Sequence, residues 1–283
     1  MKRVLLCATI AVAMCFASCE GLFEEDYSDL TKIWYTTTDG EIVEPQPVPL
    51  PFGVAHILSN NYYGSEGIIR FDGEVTEIGS CAFYKCGNLK SMILPNSVKY
   101  ICYSAFLDCD NLESINIPNG LNVIREQAFK NCKSLKSITI PDSVTSIEKQ
   151  AFRECSSLES VSLGNGITNI ADVTFLECTS LKSVTIPDNV TRIGESAFEG
   201  CEKLESLTLG TGITMIEYCA FDNCSSLKSV YCKATTPPDF MGVYHFKGRA
   251  SDCKFYVPRN SVEAYKNDAS WKQFADNIEG YDF

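Results

Sequence analysis

Fifteen cysteines and two histidines are the residues with the most chemistry to offer in this 283-residue chain. Cys7, Cys15 and Cys19 lie in or just after an apolar N-terminal run, which leaves twelve. Seven of these, Cys86, Cys109, Cys132, Cys155, Cys178, Cys201 and Cys224, recur every 23 residues. In a stacked chain they would stand at one azimuth about one strand spacing apart, near enough on Cα distance for disulfides. Seven is odd, however, and each is flanked by apolar ladders in which a free thiol packs as a small hydrophobe. Buried free thiols are therefore the expectation and disulfides the alternative. A linear row is not the tetrahedral cage that zinc requires, so no metal site is expected. Cys81, Cys102, Cys219, Cys232 and Cys253 have no spacing that names a partner. Any His-dependent base would have to be built around His56 or His245. The chain carries no P-loop, no H-E-x-x-H and no G-x-S-x-G. Gly164-Asn165-Gly166 and Gly210-Thr211-Gly212 lack the third glycine of a dinucleotide site and read as turns. Asp142 and Asp188, calcium ligands by type, follow prolines at turn starts. No nucleophile, base and orienting group converge, so no catalytic residue, no cofactor and no enzyme activity are expected.

Charge narrows the partners. With 36 acidic against 24 basic residues the formal net charge is −12, which repels phosphate backbones and anionic headgroups and argues against nucleic acid. A hydrophobic content of 45% with 21% charged residues places the chain among folded proteins.

The elements that must position these residues begin with an address. Lys2 and Arg3, the apolar run 4–16 and the small residues Ala17-Ser18 read as a signal peptide over 1–18, too short to span a bilayer. Phe16-Ala17-Ser18-Cys19 resembles the lipobox of bacterial lipoproteins, which implies lipidation at Cys19; secretion without an anchor is the alternative. Glu24-Glu25-Asp26, in the linker 19–32, resembles the acidic patch that sends lipoproteins of some gut Gram-negative bacteria to the cell surface, and a solvated linker explains it as well.

The interior is periodic. Phe83, Phe106, Phe129, Phe152, Phe175, Phe198 and Phe221 are 23 residues apart, with a Leu ladder from Leu89 to Leu227 and an Ile ladder from Ile78 to Ile216 in the same step. Such a period means a stacked solenoid. Within a unit, Leu135 to Ile140 alternates after the first Leu: Ile138 and Ile140 point in, Ser137 and Thr139 out, as a short strand. One unit buries about six apolar side chains at ~1.5–3 kcal/mol each, while ordering each residue costs at least ~1 kcal/mol of backbone entropy. A single unit therefore cannot fold alone, and the array needs polar covers at its ends.

The unit Ile-x-x-x-Ala-Phe-x-x-Cys-x-x-Leu-x-Ser-[Ile/Val]-x-[Ile/Leu]-[Pro/Gly] over 78–232 resembles the BspA-like, treponemal-type leucine-rich repeat. The resemblance implies an α/β-type leucine-rich-repeat solenoid, right-handed, with short parallel strands on its concave face and a C-terminal strand/helix cap over 233–283, while the residues that break the repeat read as an N-terminal β cap over 33–77. It also implies a bacterial surface protein, of a family in which several members adhere to host matrix proteins or other cells. Thr174 in place of Ala, and Gly164 and Gly210 in place of Pro, depart from the unit and are expected to loosen the stack slightly.

In the N-terminal cap, 33–37 and 41–43 read as a hairpin across Asp39-Gly40, Pro45, Pro47, Pro49 and Pro51 as a stiff connector, and Ile69 and Phe71 as a degenerate first strand. In the C-terminal cap, Pro237-Pro238 is expected to stop the repeat, 254–257 to form a strand, and Asn260/Glu263 and Ser270/Gln273 to form capping boxes.

A function would sit on the outward strand positions. Ser114, Asn116, Ser137, Thr139, Ser160, Ser162, Ser183, Thr185, Ser206 and Thr208 make a hydroxyl-lined sheet, the candidate binding face. Beside it Lys90, Glu113, Lys136, Glu159, Lys182, Glu205 and Lys228 alternate in sign, which fixes the register and leaves a ligand role open. Tyr231, Tyr244 and Phe246 offer either an exposed aromatic patch or packing for the cap. The expected function is non-enzymatic binding or adhesion to a host or bacterial surface protein, another cell or a glycan, by a monomer lipid-anchored in the outer membrane and facing outward. The alternative is a purely structural envelope lipoprotein.

Overall fold

A computed structural model describes residues 29–283. The signal segment 1–18, Cys19, Glu24-Glu25-Asp26 and the start of the 19–32 linker lie outside the described residues.

The 23-residue step is a physical lap. The Phe, Leu and Ile ladders are all at most 2% exposed and belong to one core running the length of the molecule. Each lap places one short strand in a front row and a two-residue strand in a back row. In front, Ser137–Thr139, Ser160–Ser162, Ser183–Thr185, Ser206–Leu209 and Ser229–Cys232 pair in parallel, Ser opposite Ser. Behind, the Ile ladder pairs the same way, Ile78 opposite Ile101 opposite Ile124 opposite Ile147, and Ile170 opposite Ile193 opposite Ile216. This back row is absent from the sequence reading because two residues are too few to show alternation.

Between the rows the chain must turn tightly, and it does so with left-handed residues. The residue before each Ala-Phe (Thr-Phe at Thr174) and the residue before each ladder Cys have positive φ, as at Gln150 (60°) and Glu154 (61°). Glycine fills only one of these ladder positions, Gly200. Val173, β-branched at φ 51°, is the most strained. What holds these conformations is the inter-lap ladder of N–H donors: Phe106 to the Ala128 carbonyl at 2.8 Å, Phe129 to Ala151 at 2.8 Å.

The departures from the repeat unit do not loosen the stack. Thr174 is fully buried and its hydroxyl donates to the Ala171 carbonyl at 2.7 Å. A Cβ on Gly164 would lie 2.5 Å from the Pro141 backbone and one on Gly210 2.5 Å from the Pro187 carbonyl. Glycine there lets successive turns approach closely. Asp142 and Asp188 accept the N–H of Asn165 (2.7 Å) and Thr211 (2.9 Å), so they tie turn to turn.

The N-terminal cap differs from its sequence reading. Its strands are β1 (Lys32–Thr37), β2 (Pro51–Val54), β3 (Ile57–Tyr63) and β4 (Glu66–Phe71). No hairpin forms at Asp39-Gly40, because the Asp39 carboxylate accepts the Glu41 N–H (3.0 Å) and closes the bend. The edge of β1 that Glu41–Val43 would have occupied is taken by Leu89–Ile93, antiparallel, with Trp34 opposite Ile93. The hairpin is β3–β4, turning at Gly64 with φ 67°. Ile69 and Phe71 are buried in the expected register, but β1 is inserted between β4 and the first repeat strand.

At the other end Pro237-Pro238 does not stop the stacking. Asp239 and Phe240 pair with Met215 and Ile216, Lys254–Pro258 adds to the front row, and Ile278–Tyr281 adds after it. The lap lengthens, with Ser229 opposite Lys254 and Phe246 stacked on Phe221 at 5.2 Å. Neither capping box forms. Ser261 caps nothing with its side chain ahead of the helix Val262–Asn267, and Asp268 accepts the N–H groups of Ser270 (2.8 Å) and Trp271 (3.1 Å) instead. Gln273 donates to the Ser270 carbonyl at 2.8 Å, which leaves it no role at the Ser270 N–H. The cap seals the core through Tyr265, whose hydroxyl donates to the Ala234 carbonyl (2.7 Å), and Trp271, whose Nε1 donates to the Pro238 carbonyl (2.7 Å).

Candidate functional site

The thiol ladder is structural. From Cys109 onward each ladder Sγ donates to a Phe carbonyl one lap back: Cys109 to Phe83 (3.0 Å), Cys132 to Phe106 (3.2 Å), Cys155 to Phe129 (3.2 Å), Cys178 to Phe152 (3.2 Å); Cys86, with no lap before it, faces the Glu44 carbonyl at 3.7 Å. All twelve cysteines among the described residues are free. Burial pushes the Cys86 thiol up to about 11 and Cys155 up to about 12, the opposite of what a nucleophile needs. His245 is buried, stacked on Phe240 at 4.5 Å with Nε2 3.0 Å from the Met241 carbonyl; His56 is exposed and faces Asp72 at 3.1 Å. No group of three His, Cys, Asp or Glu able to hold a metal ion occurs among the described residues.

The ten residues of the candidate face divide between two sheets. Ser137, Thr139, Ser160, Ser162, Ser183 and Thr185 are exposed, and Ser206 and Thr208 half-buried, on one seven-stranded sheet. Inward Ile138, Val184 and Leu207, packed in the core, fix this outward set. Ser114 and Asn116 belong to the five-stranded sheet or its margin, and Asn116 is not free for a ligand. Its Oδ1 accepts the Leu94 N–H (2.6 Å) and its Nδ2 donates to the Leu94 carbonyl (3.1 Å), replacing the strand bonds that would continue Ser114–Ile115.

The charge row beside the face pairs across laps. Lys136 Nζ lies 3.1 Å from Glu113, and Lys182 pairs with Glu159, whose carboxyl is held below its ordinary value by that ammonium. These exposed pairs hold register rather than supply much energy.

At the C-terminal end the face turns aromatic. Tyr231 stacks on Tyr256 with centroids 4.8 Å apart, Tyr281 meets both edge-on at 5.3 and 5.7 Å, and Phe283 lies 5.0 Å from Tyr281. Tyr281 and Phe283 are 42% and 52% exposed, so the cluster presents an apolar surface to solvent. The residues offered as a patch thus separate: Tyr231 joins this cluster, Tyr244 meets Tyr218 elsewhere at 6.2 Å, and Phe246 is core. Tyr256 and Tyr281 were missed, although Tyr231, Tyr256 and Tyr281 stand 25 residues apart, the length of the extended lap.

A core of stacked identical laps, one parallel strand per lap and an outward polar face together define a leucine-rich-repeat scaffold. A family model described as "BspA type Leucine rich repeat region" matches residues 48–159 and 145–267 in six copies, so the chain belongs to that family. Among solved structures it is similar to a leucine-rich repeat protein from Eubacterium ventriosum, at 25% identity and TM-score 0.51, over 57% of this chain and 43% of that one. A leucine-rich repeat protein of T. pallidum matches at 26% identity and TM-score 0.43, over 74% of this chain and 82% of that one. The chain thus spans less than half the length of the Eubacterium protein. No curated protein matches it.

Proposed function

We propose that this is a surface-anchored, non-enzymatic binding protein whose outward strand face engages a host or bacterial surface protein, another cell or a glycan. The observation that carries this reading is the face itself: rows of exposed Ser and Thr hydroxyls running into the half-exposed Tyr231, Tyr256 and Tyr281 cluster. Aromatic side chains beside polar groups on a rigid support are where binding energy concentrates. The hydroxyl rows are held ready to bind, because Ile138, Val184, Leu207 and Val230 beside them are packed in the core.

Replacing Thr139 and Ser162 together by Lys should abolish capture of the partner returned by a pull-down and glycan-array screen, with the thermal melt unchanged. Binding kept at full strength would remove the face from consideration.

Anchoring through lipidated Cys19 fits the geometry of the cap. The chain enters at Leu30 and Thr31, whose carbonyls accept the N–H of Val75 (3.1 Å) and Phe71 (2.9 Å). Ten residues reach at most roughly 35 Å, so the anchor would hold the N-terminal cap near the outer membrane. Nine strand spacings of about 4.8 Å, on the order of 40 Å, separate β1 from the strand that carries Tyr281 at the other end of the array. A Cys19→Ser protein should be exported and recovered in the aqueous phase of a detergent partition; recovery in the detergent phase, like the parent, would refute lipidation there.

A further inference from the structure

The last lap and the C-terminal cap line a pocket of about 470 Å³, open to solvent on one side, on which the outward strand face has no bearing. Its lining contains Lys247 and Arg249, and no Asp or Glu. In a chain with twelve more acidic than basic residues such a pairing is against the overall charge. Neither cation is in an ion pair among the described residues. Lys247 Nζ lies 4.3 Å from the centroid of the Tyr244 ring, and the Arg249 guanidinium 4.9 Å from that of Phe274. The Asp268 carboxylate, one residue from the lining, is spent on the N–H groups of Ser270 and Trp271. A further observation concerns Arg249 itself: one terminal nitrogen donates to the Phe246 carbonyl at 3.4 Å, while Nε is sealed from solvent with no acceptor. Sealed in this way beside Cys253, Nε itself cannot meet a ligand; what favours an anion here is the charge of the guanidinium, which no carboxylate among the described residues neutralises.

We propose that this cavity is a binding site for a carboxylate-bearing sugar residue, of the uronic acid class. The charge is met by Arg249, whose planar fork suits a carboxylate, and by Lys247 as a point charge. Ser270 and Gln273 contribute a hydroxyl and an amide to the lining, groups that match sugar hydroxyls. Tyr244, half-exposed at the rim, supplies a ring on which a sugar face can rest. The volume lies within the range of small-molecule sites. This proposal does not rest on the strand face, and either can fail while the other stands.

The test is calorimetric titration of the full-length protein in detergent with sodium glucuronate, glucose and sodium sulfate in parallel. Glucuronate should bind at least tenfold more tightly than either of the others, and more weakly as salt is raised. Lys247→Gln, on an exposed side chain, should keep the melting temperature and weaken glucuronate at least fivefold. Arg249→Gln should weaken it further; if that variant loses stability with its ring contacts, the Lys247 variant alone decides. Thr139→Lys with Ser162→Lys should leave glucuronate binding untouched. Glucuronate no tighter than glucose, sulfate as tight as glucuronate, or full binding by the folded Lys247→Gln protein would each overturn the assignment.

Discussion

Raising the pH past about 10 under reducing conditions is expected to unfold the whole array in a steep transition, because the core is lined with thiols that cannot ionise where they are. Burial is the first cause in each case: Cys86, Cys232 and Cys253 are pushed up to about 11, Cys155 to about 12, and Cys109, Cys132, Cys178, Cys201 and Cys224 well above the ordinary value. The folded protein therefore keeps protons that the unfolded chain releases near pH 9, so stability is intact below that value and falls as pH rises toward the folded pKa. Each such thiol removes about 1.4 kcal/mol per pH unit in that window. Nine together remove roughly 12 kcal/mol one unit above the ordinary thiol value, comparable to the ~5–15 kcal/mol that holds a domain together. Far-UV circular dichroism from pH 8 to 11, with reductant present to prevent disulfide formation, reads the transition. Cys132→Val and Cys178→Val together should make it shallower by about two protons released per molecule. Unchanged ellipticity to pH 11 with the thiols still titratable after denaturation would contradict the buried ladder.

That ladder was legible in the sequence because an inward position repeats wherever the lap repeats, and one period places Phe, Cys, Leu and Ile at once. Long-range choices left no such mark. Ile33, Trp34 and Tyr35 are consecutive and all buried, so their pattern does not say which edges β1 joins. The final lap was hidden by two inserted residues, which put Phe246 25 places after Phe221 rather than 23. The hydroxyl face could be written down from alternation alone, yet alternation cannot distinguish a free side chain from one that replaces a strand bond, and Asn116 is the second kind. Lys247 and Arg249 were invisible for a different reason: their meaning comes from the carboxylates missing around them, which only the packed cap reveals.

Phe152→Ala should cost ~3–5 kcal/mol, the range for deleting a buried aromatic and leaving its cavity. Phe152 is fully buried at the middle of a column of rings, with Phe129 centred 5.2 Å away and Phe175 5.4 Å away, nearly parallel to both. Relaxation cannot fill the gap cheaply, since those two rings are held by the next laps and by the thiol bond from Cys155 to the Phe129 carbonyl. Because each lap contacts only its neighbours, the loss falls on one interface of a one-dimensional array. Urea denaturation should therefore show a lower midpoint and, where the two halves come apart separately, a broadened transition. A loss below about 1 kcal/mol would contradict the inward column. Ser160→Ala, eight residues on in the same lap and facing solvent, is the paired control and should stay within about 0.5 kcal/mol of the parent. The same lap thus answers two questions: the inward ring reports on the fold, and the outward hydroxyl is free to be spent on a partner.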